Sequence, residues 1–268
     1  MEAALQNLLK RDRAIVATAL AALAALAWTY LLWLARSMAS SAPVAFMPGM
    51  AGMNMGPAPH PWGIAEFAFT FAMWTVMMAG MMTPSAAPMI LLYARIGRQA
   101  RAQGHPFAAT GWFAGGYLLA WTAFAAFASL AQAALSQATL ITPMLTSANR
   151  LFAGVLLVAA GLYQLSPLKY AGLTQCQGPI GFLQRHGGFK RDIQGSLLLG
   201  LKHGLFCVGC CSALMALLFV GGVMNVLWIA GLSILVLLEK AVPGRLIPRL
   251  AGLVLIAAGG ISLVATAM

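Results

Sequence analysis

The side chains able to do chemistry in this chain are mostly sulfur ligands, and they cluster. His203, Cys207 and Cys211 follow one another at four-residue intervals, Cys210 flanks the row, and Met215 extends it by a further turn. Residues three and four apart share one face of an α-helix, so an imidazole, two or three thiols and a thioether would line a single stripe. Thiolate and thioether are soft donors that favour Cu(I), and imidazole also accepts Cu, Zn, Fe or Ni. A lone buried Cys more often only packs. Here Lys202 and His203 stand in the same apolar run, where polar groups are costly unless partnered, and the cluster reads as a metal site. Ligands on one straight helix cannot close a tetrahedral shell, so another element must contribute.

The expected second element carries Met73, Met77 and Met81 at the same four-residue spacing, with Met78 and Met82 forming an adjoining row. Methionine also fills irregular gaps without binding anything, but Pro84, which removes a helix hydrogen bond and favours a kink, suggests a helix that lines a cavity. A third group, Met47, Met50, Met53 and Met55 followed by His60, recurs at short intervals in a Pro- and Gly-rich segment. Either that segment is low-complexity drift, or it captures Cu(I), with Ag(I) the nearest substitute. Glu66 could pair with His60 or Arg36. Glu239 and Lys240 close an apolar run, where a solvated pair is expected, and the spacing of Cys176 and His186 is not diagnostic.

These residues must be positioned by membrane helices. Of 268 residues 61% are hydrophobic and 8% charged, far too apolar for a dissolved domain of this size. Apolar runs long enough to cross about 30 Å of hydrocarbon recur near 14–35, 64–93, 107–132, 149–165, 195–220, 223–238 and 247–267. The first exceeds the 7–15 residues of a signal-peptide core, so an uncleaved anchor over 1–36 is expected. An external Met/Pro/Gly-rich loop over 37–63 and a six-span domain over 64–268 follow. Thirteen Lys and Arg fall on one side of such a bundle and two, Arg36 and Arg150, on the other. By the positive-inside rule the N-terminus is cytoplasmic and the C-terminus outside. The expected fold is all-α, a polytopic transmembrane bundle of about seven spans, with Ser166–Gln194 as an inner loop. The net charge of +11 then marks basic loops against anionic lipid, not a nucleic-acid partner. Three cysteines in one apolar run exclude a secreted disulfide scaffold. Glycines 111, 115 and 116, and 252, 259 and 260, suggest close helix packing.

The segments MWTVMMAGMMTPSAAPMILLYA and GLKHGLFCVGCCSALMALLFVGGVMNVLWIAGL, with the following LLEK, resemble a bacterial family of uncharacterised integral membrane proteins described as metal-binding, a domain of unknown function. The likeness runs from about residue 64 to the end of the last span; where the family commonly carries Trp after the double Cys, this chain has Ser212. It implies metal binding in a multi-pass protein of the bacterial inner (cytoplasmic) membrane. The leading expectation is a protein that relays or transports Cu(I), with a copper-donating or copper-receiving protein as partner. Competing readings are a transmembrane thiol redox carrier, for which paired thiols on separate helices are missing, a haem protein ligated through His203, and a structural or assembly subunit without metal. The absence of a P-loop or nucleophile motif argues against a pump driven by ATP and against a hydrolase.

Overall fold

The computed structural model describes residues 2–40, 62–104, 110–141, 147 and 149–267, and side chains within 14–37, 62–100, 103–104, 110–141, 147 and 149–266. The external Met loop with Met47, Met50, Met53, Met55 and His60 lies outside them. The described residues form ten helices: α1 (Glu2–Ser40), α2 (Ile64–Ala102), α3 (Thr110–Gln137), α4 (Arg150–Leu165), α5 (Pro167–Gln177), α6 (Pro179–Arg185), α7 (Ile193–Ala216), α8 (Leu218–Gly221), α9 (Val226–Ala241) and α10 (Leu246–Ala267). No strand occurs among them.

Five stretches are long and apolar enough to cross a membrane: Ala14–Ser37, Ile64–Ala100, Thr110–Gln137, Ile193–Gly221 and Leu246–Thr266. A sixth results if α4 and α5, bent by 63° at Ser166, form one broken span. Helix α9 matches the remaining expected span but has only 16 residues. Large apolar side chains such as Leu26, Leu168, Leu227 and Ile261 are exposed on the outer faces of the bundle, as contact with lipid requires and water would penalise.

The Ser166–Gln194 segment, expected as a loop, is largely helical. Ser166 caps α5 by accepting from the Lys169 N–H at 3.2 Å, with Pro167 at the first helical position. Gly178 and Pro179 then restart the chain as α6. These are ordinary start signals, hidden in sequence by the low hydrophobicity of the stretch. Helix α2 runs unbroken through Pro84 and Pro88.

The glycine faces divide sharply. Helices α3 and α7 pack so closely that a Cβ at Gly116 would overlap the Leu197 carbonyl, and one at Gly200 the Phe113 carbonyl. Helices α4 and α10 do the same, a Cβ at Gly161 falling 2.7 Å from the Gly252 oxygen and one at Gly259 2.8 Å from that of Gly154. By contrast Gly111 and Gly260 face open space, and Gly115 only reaches ordinary contact with Leu197 at 4.0 Å. α7 packs chiefly against α3 and α5, and α2 against α1 and α3, so α2 and α7 are bridged rather than paired. Gly116→Leu should therefore cost at least about 2–3 kcal/mol or prevent folding, while Gly260→Ala should leave thermal unfolding in detergent within a few tenths of a kcal/mol of wild type.

Candidate metal centre

Helix α7 begins at Asp192, whose carboxylate accepts from the Gly195 N–H at 2.6 Å. From that start its helical register turns Ser196, Gly200, His203, Cys207, Cys210, Cys211, Leu214 and Met215 inward, and all are buried. The stripe expected from spacing is thus the inner face of the helix. Around it, Cys210 Sγ lies 3.3 Å from Cys211 Sγ and donates to the Cys207 carbonyl at 3.2 Å.

A fourth thiol joins from a different helix. Cys176, near the end of α5, places Sγ 3.9 Å from Cys210 Sγ. The approach is tight because α5 presents Gly172 to α7, where a Cβ would meet the Phe206 carbonyl at 3.2 Å and Cys210 Cβ at 3.3 Å. Thiols on separate helices, expected to be missing, are therefore present. The cue in sequence was the SP turn opening α5, which makes the segment helical, with small Gly172 one turn before Cys176.

Cys207 is held by polar groups from two further helices. Lys240 Nζ donates to its sulfur at 2.8 Å and to Ser85 Oγ at 2.9 Å. Tyr117 Oη lies 3.1 Å from the same sulfur and 3.1 Å from the Met82 carbonyl. Contrary to the solvated pair expected at the end of α9, Glu239 and Lys240 are both buried and point to different partners. Glu239 accepts from Lys169 Nζ at 2.6 Å and from Gln164 Nε2 at 2.8 Å, and Lys169 also donates to Gln164. Gln177 Nε2 caps the end of α9, donating to the Glu239 and Val242 carbonyls at 2.7 and 3.1 Å. Adjacent residues on a helix point about 100° apart, which is how neighbouring charges reach separate clusters.

His203 sits among Phe113, Tyr117 and Phe182, its ring centroid 4.9 Å from that of Phe182. Its Nδ1 is buried with no hydrogen-bond partner among the described residues, an arrangement that leaves a donor or acceptor unsatisfied. On α2, Met73, Met77, Met78, Met81 and Met82 are all buried in the core. Ser85 shares its helix face with Met78, Met81 and Met82 by helical spacing. Met77 flanks that face, and Met73 lies about 120° round the helix. Among the described residues no group of three or more His, Cys, Asp and Glu side chains is arranged as a ready-made metal shell. His186 is not part of the thiol cluster: its Nδ1 lies 2.9 Å from the Phe182 carbonyl.

The described residues thus define a helical protein with span-length apolar helices that brings four thiols together beside a buried lysine. The chain belongs to the PpoB2 copper chaperone family, whose model matches residues 71–262, a stretch containing both Met rows, all four cysteines and Lys240. No curated protein and no solved structure matches it significantly.

The buried Lys169–Glu239 pair gives a direct test. Glu239→Gln strands the Lys169 charge and should destabilise by about 3–5 kcal/mol, whereas replacing both partners by apolar residues of similar volume (Lys169→Met with Glu239→Leu) should recover most of the loss. Thermal unfolding of the purified protein in detergent reads both.

Proposed function

We propose that this chain is a membrane-embedded copper chaperone that holds Cu(I) as cargo on Cys207, Cys210, Cys211 and Cys176. His203, Met77 and Met81, with Met78 and Met82, form the approach, and Met73 stands higher on the same helix. The observation that carries this reading is the meeting of Cys176 from α5 with the α7 thiols, inside a chain that belongs to a copper chaperone family.

Charge explains why a lysine stands there. Two thiolates binding one Cu(I) leave a net charge of −1, which is expensive in an apolar bundle. The Lys240 ammonium on Cys207 brings that assembly to zero. The same two thiolates around a divalent ion would be neutral alone and positive with Lys240, so the site favours a monovalent soft ion. Tyr117 and Lys240 orient the Cys207 sulfur, and Cys176, on the short helix α5, is the ligand best placed to pass the ion onward. Exchange of one sulfur for another moves the ion without redox chemistry, so hand-over to a copper-receiving protein needs no further reactant.

The wider setting belongs to the same proposal. The chain crosses a bacterial inner membrane about seven times with the N-terminus inside, supported by the excess of basic residues on one side, eleven to two once the buried Lys169 and Lys240 are left out of the thirteen. Met47, Met50, Met53, Met55 and His60 collect copper outside. A second reading, thiol–disulfide exchange, is favoured by the 3.9 Å Cys176–Cys210 separation across two helices; trapping of a mixed disulfide with a partner, from copper-free protein, would select it.

Titration of the full chain with Cu(I) against a Cu(I)-selective chelator should saturate at low stoichiometry. Cys207→Ser with Cys211→Ser should abolish binding, and unchanged binding would remove the thiols from the site. Lys240→Met should weaken binding by about 10–100-fold, as loss of a group supporting a ligand does, with Lys240→Arg restoring part of it.

A further inference from the structure

Away from the thiols, a cavity of about 250 Å³ opens at the break between α4 and α5, lined by Gln164, Ser166, Lys169, Tyr170, Arg245 and Arg249 among others. We propose that this cavity binds the phosphate group of an anionic phospholipid. The reading is independent of copper and rests only on the chain lying in a membrane.

The first ground is uncompensated positive charge. The Arg245 guanidinium lies over the Tyr170 ring, 3.7 Å from its centroid, a stack that fixes its plane while leaving its N–H edge free to donate. The Arg249 N–H donates to the Arg245 carbonyl at 3.1 Å, so the two arginines stand one helical turn apart on the wall. Lys169–Glu239 is the only ion pair among the described residues, and Glu239 is committed to Lys169 and Gln164. Neither arginine therefore has a carboxylate partner among those residues. Both helices that begin at this cavity, α5 and α10, lack an acidic residue in the first turn. Cations at a helix N-terminus oppose its dipole, so the two arginines, both exposed, present their charge to an outside anion, offset only in part by the carbonyl end of α4 at Leu165. An anion with several acceptor oxygens meets all of it, and paired arginines suit phosphate because their N–H forks match its oxygens.

Depth decides the source of the phosphate. Helix α10 is itself an apolar span, Leu246–Thr266, so its first turn marks the edge of the hydrocarbon, where phospholipid headgroups lie. Basic pockets between helices at that level are suited to anionic headgroups. Exposed Leu168, Leu246 and Leu250 beside the pocket offer apolar surface for the acyl chains, which the cavity is too small to enclose.

The test uses full-length protein in neutral detergent, with phosphatidylglycerol, phosphatidylcholine or inorganic phosphate added. Phosphatidylglycerol should bind saturably, seen by native mass spectrometry, and raise the unfolding temperature, while phosphatidylcholine and inorganic phosphate should not. Arg245→Gln with Arg249→Gln should weaken phosphatidylglycerol binding at least about tenfold while the unfolding temperature in lipid-free detergent stays at the wild-type value, which also reports that the variant is folded. Arg245→Lys with Arg249→Lys should keep part of the affinity. Equal phosphatidylglycerol binding by the Gln variant and wild type would overturn the proposal, as would equal stabilisation by phosphatidylcholine. Full stabilisation by inorganic phosphate alone would overturn the lipid assignment.

Discussion

A charged amine enclosed among apolar helices has to find its partner inside the protein, and the described residues include two such amines, Lys169 on α5 and Lys240 on α9. Lys169 meets a carboxylate and an amide; Lys240 meets a sulfur and a hydroxyl. Both arrangements depend on α9, which supplies Glu239 and Lys240 from consecutive positions. The first ties α5 to α9, and the second ties α9 to α2 and α7. Because a stranded buried charge is so costly, these contacts fix where α5 and α7 can lie, and so where Cys176 meets Cys210.

Close packing completes that constraint. The α3–α7 and α4–α10 pairs touch through backbone at glycine positions, which gives each pair little freedom to slide. The thiol stripe is thereby held against Tyr117 of α3, whose hydroxyl reaches both Cys207 and the Met82 carbonyl. Helix α2 communicates with α7 through Tyr117 and Lys240 rather than by packing on it. A methionine row and a thiol row can thus belong to one region without their helices being neighbours.

Much of this was legible in the residues. Apolar length gave the span-length helices, and four-residue spacing gave the buried face of α7. What spacing could not give was the role of polar residues near the ends of apolar runs. Glu239 and Lys240 look solvated in sequence because they terminate a hydrophobic stretch, yet α5 folds back over Glu239 while Lys240 turns inward to Ser85 and Cys207. That fold-back follows from Ser166 and Pro167, whose capping chemistry is plain once sought but is masked by the modest hydrophobicity of the segment. Nor could periodicity tell which small residues touch a neighbour: Gly116 and Gly111 look alike on paper, and only the partner backbone distinguishes them.

The order in which the pieces of the thiol cluster emerge during synthesis has its own consequence. Lys240 lies 33 residues after Cys207 and 155 after Ser85, and Glu239 lies 70 after Lys169. The thiols of α7 are therefore made before the helix that supplies their ammonium, and Lys169 of α5 lacks its carboxylate until Glu239 arrives. Long-range contacts of this kind close late. Until α9 has been made, the sulfur of Cys207 lacks its Lys240 partner, though it can already meet Tyr117 of α3. Synthesis of α9 is thus the step at which the buried polar contacts around Lys169 and Cys207 can first all be made.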